Sequence, residues 1–69
     1  MTLEELRIAV GKYQSNHPEL VCYEIVRNYE EQDVAQIAGY FYDPVTDMIS
    51  VILWLLYKID GQLVFKKIV

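Results

Sequence analysis

The longest apolar run of the chain lies between Met48 and Ile59. A strand through this run has apolar residues on both of its sides, interrupted only by Ser50 and Lys58. A strand with one side in water alternates apolar and polar residues, whereas a strand with two apolar sides needs cover on both. The pattern therefore predicts a two-sided strand that needs more cover than a chain of 69 residues readily supplies.

An amphipathic helix is predicted at the N-terminus. Thr2 and Glu5 have the spacing of a capping box, and Met1 and Leu6 have the spacing of a hydrophobic staple. Apolar residues then recur at helical intervals. Pro18 predicts the end of the helix, because the residue before a proline avoids helical geometry.

The segment from Leu20 to Tyr29 has two interpretations. Its β-branched and aromatic residues favour a strand. A second helix opened by Pro18 is the alternative, since proline suits a first helical turn. We expect the strand.

Two further strands are predicted around the apolar run, at Val34–Tyr42 and Gln62–Val69. The Asp43-Pro44 pair between the second and third strands suits a type I turn. The Asp60-Gly61 pair that follows the run is typical of a two-residue hairpin. Lys66 and Lys67 in the last strand are typical of residues that protect a sheet edge from unwanted pairing.

These elements predict an α+β fold in a single small domain, residues 1–69, with an N-terminal helix packed on a four-stranded antiparallel meander (α-β-β-β-β). A tight turn at Asp60-Gly61 would set the register of the last two strands. The expected pairs are Ile59 with Gln62, Lys58 with Leu63, Tyr57 with Val64, Leu56 with Phe65, Leu55 with Lys66, Trp54 with Lys67, Leu53 with Ile68 and Ile52 with Val69.

The predicted sheet has two apolar faces. One, called here the tyrosine face, carries Tyr40, Tyr42, Val51, Leu53, Leu55, Tyr57, Val64 and Ile68. The opposite one, called the tryptophan face, carries Ile37, Phe41, Ile52, Trp54, Leu56, Leu63 and Phe65. A helix of about 13 residues is only ~20 Å long and covers one of them.

We expect the helix to cover the tyrosine face and a partner to cover the tryptophan face. Aromatic side chains bury about 150–250 Å² each, and soluble monomers rarely expose apolar patches beyond several hundred Å². The alternative is that residues 18–32 fold back over the tryptophan face. The expected partner-binding residues are Ile37, Phe41, Ile52, Trp54, Leu56 and Phe65, with Trp54 as the expected hot spot.

The composition favours a non-enzymatic protein-interaction module. Hydrophobic residues make up 54% of the chain, more than one small core needs, which favours a homodimer or a larger protein partner. The net charge of −4 argues against direct nucleic-acid binding. His17 and Cys22 each stand alone, so no catalytic site, metal site or cofactor is predicted. The single cysteine and the lack of a long apolar run favour a cytoplasmic protein outside the membrane.

Two alternative functions stay open. An acidic edge of Glu30, Glu31, Asp33 and Asp60 would gather at one end of the meander and suit an inhibitor that engages a basic groove of a nucleic-acid enzyme. In the second alternative, the apolar layer between helix and sheet would enclose a small hydrophobic ligand.

Overall fold

The computed structural model describes residues 1–68 and confirms the α+β meander. Its elements are α1 (Leu3–Asn16), β1 (Leu20–Tyr29), β2 (Val34–Asp43), β3 (Met48–Ile59) and β4 (Gln62–Lys67). The strands form one sheet in the order β1-β2-β3-β4, and each neighbouring pair is antiparallel. The ambiguous segment after Pro18 is therefore a strand.

The predicted capping box holds the start of α1. The Thr2 hydroxyl accepts a hydrogen bond from the backbone N–H of Glu5 at 3.1 Å, and the Glu5 carboxylate accepts one from the N–H of Thr2 at 3.0 Å. Met1 and Leu6 are both buried in the core, as a hydrophobic staple requires. No helix within residues 1–68 has the length and apolar character that crossing a membrane requires.

The Asp60-Gly61 hairpin sets the register of β3 and β4 as predicted. Both residues have positive φ angles, 51° and 78°, the conformation of a type I′ turn. The expected pairs are present from Ile59 with Gln62 as far as Trp54 with Lys67. Ile68 continues the pairing through a 2.8 Å hydrogen bond from its N–H to the carbonyl of Leu53. The expected pair of Ile52 with Val69 lies outside the described residues.

The helix packs on the tryptophan face, so the expectation that it covers the tyrosine face is wrong. Leu6 and Val10 of α1 are fully buried in one core cluster with Ile37, Trp54 and Leu56. The remaining three residues expected to bind a partner, Phe41, Ile52 and Phe65, are partly buried against this cluster. The six residues Ile37, Phe41, Ile52, Trp54, Leu56 and Phe65 therefore belong to the core of the chain and do not form an exposed docking face.

The difference between the two faces explains which of them the helix covers. The Tyr13 ring of α1 lies 5.2 Å from Trp54 and 5.1 Å from Phe65 between ring centroids, so helix and sheet share an aromatic cluster. Tyr40 and Tyr42 on the other face carry hydroxyl groups that need polar partners when buried. Covering the tryptophan face removes large apolar rings from water without burying those hydroxyls.

Candidate docking surface

The tyrosine face is the side of the sheet opposite α1. Strand pairing confirms its predicted composition, because Tyr40 pairs with Val51 and Tyr57 pairs with both Val34 and Val64. Ile49 and Val51 remain 59% and 52% exposed. The only α-helix within residues 1–68 lies on the opposite face. An apolar sheet surface therefore stays in contact with solvent, although it is not the surface that we expected from the sequence.

The apolar centre of this face has a polar rim. Glu24 and Arg27 of β1 pair with Ala38 and Gln36, which places them on the tyrosine face at one edge. Lys66 of β4 pairs with Leu55 and lies at the other edge. An apolar centre inside a charged rim is the usual anatomy of a protein–protein interface.

Two tyrosine hydroxyls are held by carboxylates at the margin of the face. The Tyr40 hydroxyl donates to Glu24 at 3.2 Å, and the Tyr42 hydroxyl donates to Asp47 at 2.7 Å. Each of these hydrogen bonds raises the pKa of its tyrosine above the ordinary value of 10.0. The prediction that Tyr40, Tyr42 and Tyr57 pack against the helix is wrong, because they lie on the face away from it.

The molecule is elongated and exposes more surface than its mass requires. Its Cα extents are 40 × 20 × 18 Å, and its accessible surface is 4900 Å². A folded monomer of 8.1 kDa is expected to expose about 4,500 Å². The excess is what a sheet with cover on only one side produces.

The predicted acidic edge lies at one end of the meander. Glu30 and Glu31 belong to a short 3-10 turn between β1 and β2, Asp33 follows it, and Asp60 lies in the β3–β4 turn at the same end. The Asp33 carboxylate accepts a hydrogen bond from the Met1 ammonium group at 3.1 Å. One of the four carboxylates is thus paired with a cation. The use of this edge as an inhibitor surface stays a prediction.

An ion pair joins the helix to the sheet near this end. The Lys58 ammonium group lies 2.8 Å from a carboxylate oxygen of Glu5. Its hydrogen bond, together with that from the N–H of Thr2, lowers the pKa of Glu5 from 4.5 to about 2. Glu5 therefore serves the helix cap with one oxygen and the ion pair with the other.

The structure places His17 at the end of α1 and Cys22 in β1. The His17 ring stacks on the Tyr13 ring with centroids 3.9 Å apart, and its Nδ1 lies 2.9 Å from the Tyr13 carbonyl oxygen. Cys22 is exposed and pairs with Tyr40, which places it on the tyrosine face. Within residues 1–68, no group of three or more His, Cys, Asp and Glu side chains could hold a metal ion.

Sequence reasoning missed the charged rim and the bulges that position it. The register of β1 against β2 shifts twice, between Leu20 and Cys22 and between Ile25 and Arg27. Strict alternation along β1 fails at these shifts, so the face of each β1 side chain was not readable from period-two patterning. The tyrosine face itself was readable, and only its cover was misassigned.

Comparisons of the chain with protein-family models, curated proteins and solved structures find no match.

Proposed function

We propose that this protein is a non-enzymatic interaction module that forms a homodimer through the tyrosine face. The observation that carries the proposal is the row of apolar side chains along β3, from Ile49 to Ile59, on the uncovered side of the sheet. Patches of this kind on soluble proteins mark interaction sites. The binding surface is thus the opposite face of the sheet from the one expected from the sequence.

The size of the face suits a stable dimer. β3 has 12 residues and spans about 40 Å at ~3.4 Å per residue, which matches the longest extent of the molecule. A surface of 40 by 20 Å offers on the order of 800 Å², which is about the area that each partner buries in a standard specific interface. Two copies face to face would thus bury the area that such interfaces need.

The apolar centre, rather than the rim, suits the face to a second copy, because the rim carries both charge signs. Glu24 and Arg27 lie on the β1 edge, and Lys66 lies on the β4 edge. When two sheets stack about a two-fold axis parallel to their strands, β1 of one copy lies over β4 of the other. Arg27 shares a row of the sheet with Lys66 through Gln36 and Leu55, so this arrangement brings Arg27 toward the second copy's Lys66, with Glu24 one row along. The apolar centres meet, and their burial drives the association.

The test compares two valine-to-lysine substitutions by analytical ultracentrifugation. Val51→Lys places a charge within the tyrosine face, and Val45→Lys makes the same change in the β2–β3 turn, where the side chain is 91% exposed. We expect the wild type and Val45→Lys to sediment as dimers at micromolar concentration and Val51→Lys to sediment as a monomer. Circular dichroism checks that all three retain the fold, and Val51→Thr serves as a milder variant.

Two results separate the possible outcomes. A wild-type monomer that binds no hydrophobic dye would contradict both a homodimer and the binding of another protein through the tyrosine face. A wild-type monomer that binds dye, with the binding lost in Val51→Lys, would contradict the homodimer and favour a different protein as the occupant of the same face.

A further inference from the structure

A groove of about 640 Å³ lies between α1 and the outer strand β4. Ile8 and Tyr13 line its helix side, and Leu63 and Phe65 line its sheet side. Ile8 is 64% exposed although it is a large apolar residue. The groove is on the helix side of the sheet, so a dimer formed through the tyrosine face would leave it accessible.

The backbone beside this groove has free hydrogen-bonding groups. The N–H of Ile68 donates to the carbonyl of Leu53, and antiparallel pairs alternate between residues that bond to their partner strand and residues that do not. Lys66 and Val64 therefore direct their backbone groups toward β3. Leu63, Phe65 and Lys67 direct theirs away from it, and within residues 1–68 β4 has no second neighbour.

The two edges of the sheet differ in their ability to accept another strand. β1 has two register shifts, and bulges of this kind disrupt the ladder that a new strand needs. β4 pairs with β3 without a shift from Gln62 to Lys67. Its edge is therefore the regular one, and a strand added there would extend the sheet.

The side chains around the β4 edge define the chemistry of the strand. Lys12 lines the groove, and Lys66 and Lys67 occupy the end of β4, so three of the six basic residues of the chain are found here. The carboxylate of Glu5, which also lines the groove, is already paired with Lys58. Lysines on an edge oppose pairing with purely apolar strands and favour an acidic one.

We propose that the β4 edge and the adjacent groove bind an extended peptide segment of another protein as a fifth strand, with acidic residues beside Lys66 and Lys67 and apolar residues in the groove. Residues of the peptide that pair with Phe65 and Leu63 place their side chains on the helix side of the sheet, which is the side of the groove. Backbone bonding would supply affinity, and the groove and lysines would supply selectivity.

The test uses the hexapeptide Glu-Glu-Val-Thr-Ile-Thr, designed to pair antiparallel with β4. Its acidic residues would lie opposite Lys67 and Lys66, and its valine and isoleucine would lie opposite Phe65 and Leu63. The control is Lys-Lys-Val-Thr-Ile-Thr. In fluorescence anisotropy with labelled peptides we expect saturable binding of the acidic peptide and at least about tenfold weaker binding of the basic one.

A pair of substitutions at Lys67 isolates the backbone contribution. Both Lys67→Ala and Lys67→Pro remove the charge, but only Lys67→Pro also removes the outward N–H, which does not bond to β3. We expect Lys67→Pro to bind the acidic peptide about fivefold more weakly than Lys67→Ala, the loss of one net hydrogen bond. Ile8→Ser, at an exposed position on the groove wall, removes apolar contact without adding a charge and is expected to weaken binding without unfolding the chain.

Amide hydrogen exchange reports directly which backbone N–H groups of β4 the peptide protects. In the free protein the N–H groups of Val64, Lys66 and Ile68 should exchange slowly and those of Leu63, Phe65 and Lys67 rapidly. The acidic peptide should slow the second set. Absence of saturable binding, or equal affinity of the two Lys67 variants, would overturn the proposal. Protection of the second set by raising the concentration of free protein would assign this edge to a second copy instead.

Discussion

A side chain at position 39 should destabilise the fold, because Trp54 lies directly over Gly39. A Cβ atom at position 39 would lie 2.5 Å from Cζ3 and 2.8 Å from Cη2 of Trp54, and 3.1 Å from Cδ1 of Leu20. The indole ring has little freedom to move away, since it is only 5% exposed and makes edge contacts with the rings of Phe41 and Phe65 at 5.6 and 5.7 Å. The Gly39→Ala substitution therefore overpacks the core.

The expected size of the effect follows from two opposing contributions. Overpacking a close-packed core costs about 1–3 kcal/mol. Alanine is favoured over glycine within a strand by roughly 0.5–1 kcal/mol. The net expectation is that Gly39→Ala lowers the free energy of unfolding by roughly 1.3 kcal/mol at the middle of both ranges and by at most about 2.5 kcal/mol. This is a large effect for a chain of 69 residues, whose total stability is expected to be about 3–10 kcal/mol.

Urea unfolding followed by circular dichroism tests the reasoning in a double-mutant cycle. In a Trp54→Leu background the ring is gone, so Gly39→Ala should be neutral or stabilising. The wild type, the two single variants and the double variant are measured in the same concentration of sucrose, which keeps the least stable of them folded before urea is added. Gly11→Ala is the control, because nothing lies within 4 Å of a Cβ at this helical position and the change should stabilise by about 1 kcal/mol.

Either of two results would refute this account of the core. One is a Gly39→Ala protein that is more stable than the wild type. The other is an equal effect of Gly39→Ala in the two backgrounds, which would mean that the indole ring does not lie over the glycine.

Two other expectations follow from the core and from the ion pair. Trp54→Asp should unfold the chain because it buries a charge, whereas Val51→Asp should keep the helical circular dichroism signal. A folded Trp54→Asp protein would show that the two faces of the sheet are assigned incorrectly. Glu5 has a pKa of about 2 in the folded chain against 4.5 ordinarily, so its bond to Lys58 stabilises the fold above pH 4.5 and this stability is lost as the pH falls through about 2. The free energy of unfolding should therefore decline less between pH 4.5 and about 2 in Glu5→Gln than in the control variant Glu4→Gln. Equal declines in the two variants would contradict the stabilising role of the Glu5–Lys58 ion pair.

Local sequence signals predicted the helix and the β3–β4 turn because each acts over a few residues. Thr2 and Glu5 cap α1 through hydrogen bonds that span three residues. Asp60 and Gly61 adopt the left-handed conformation that a tight hairpin requires, and the turn alone then sets the register of β3 against β4. Such features depend little on the rest of the fold.

The candidate site was predicted only in part. An excess of apolar sheet over available cover was readable from the run in β3, and so were the residues that share each face. The charged rim was not, because the bulges of β1 change which face Glu24 and Arg27 occupy. The groove beside β4 was not readable either, since it depends on where α1 crosses the sheet.

What the sequence by itself determined is the membership of two apolar faces, through the period-two alternation of strands whose register a short turn defines. What only the tertiary structure decided is which face the helix covers. Alternation cannot distinguish two faces that are both apolar, whereas packing can. The Trp54 ring fits over Gly39 and against Tyr13 of the helix, while the hydroxyls of Tyr40 and Tyr42 find carboxylate partners on the side that remains exposed.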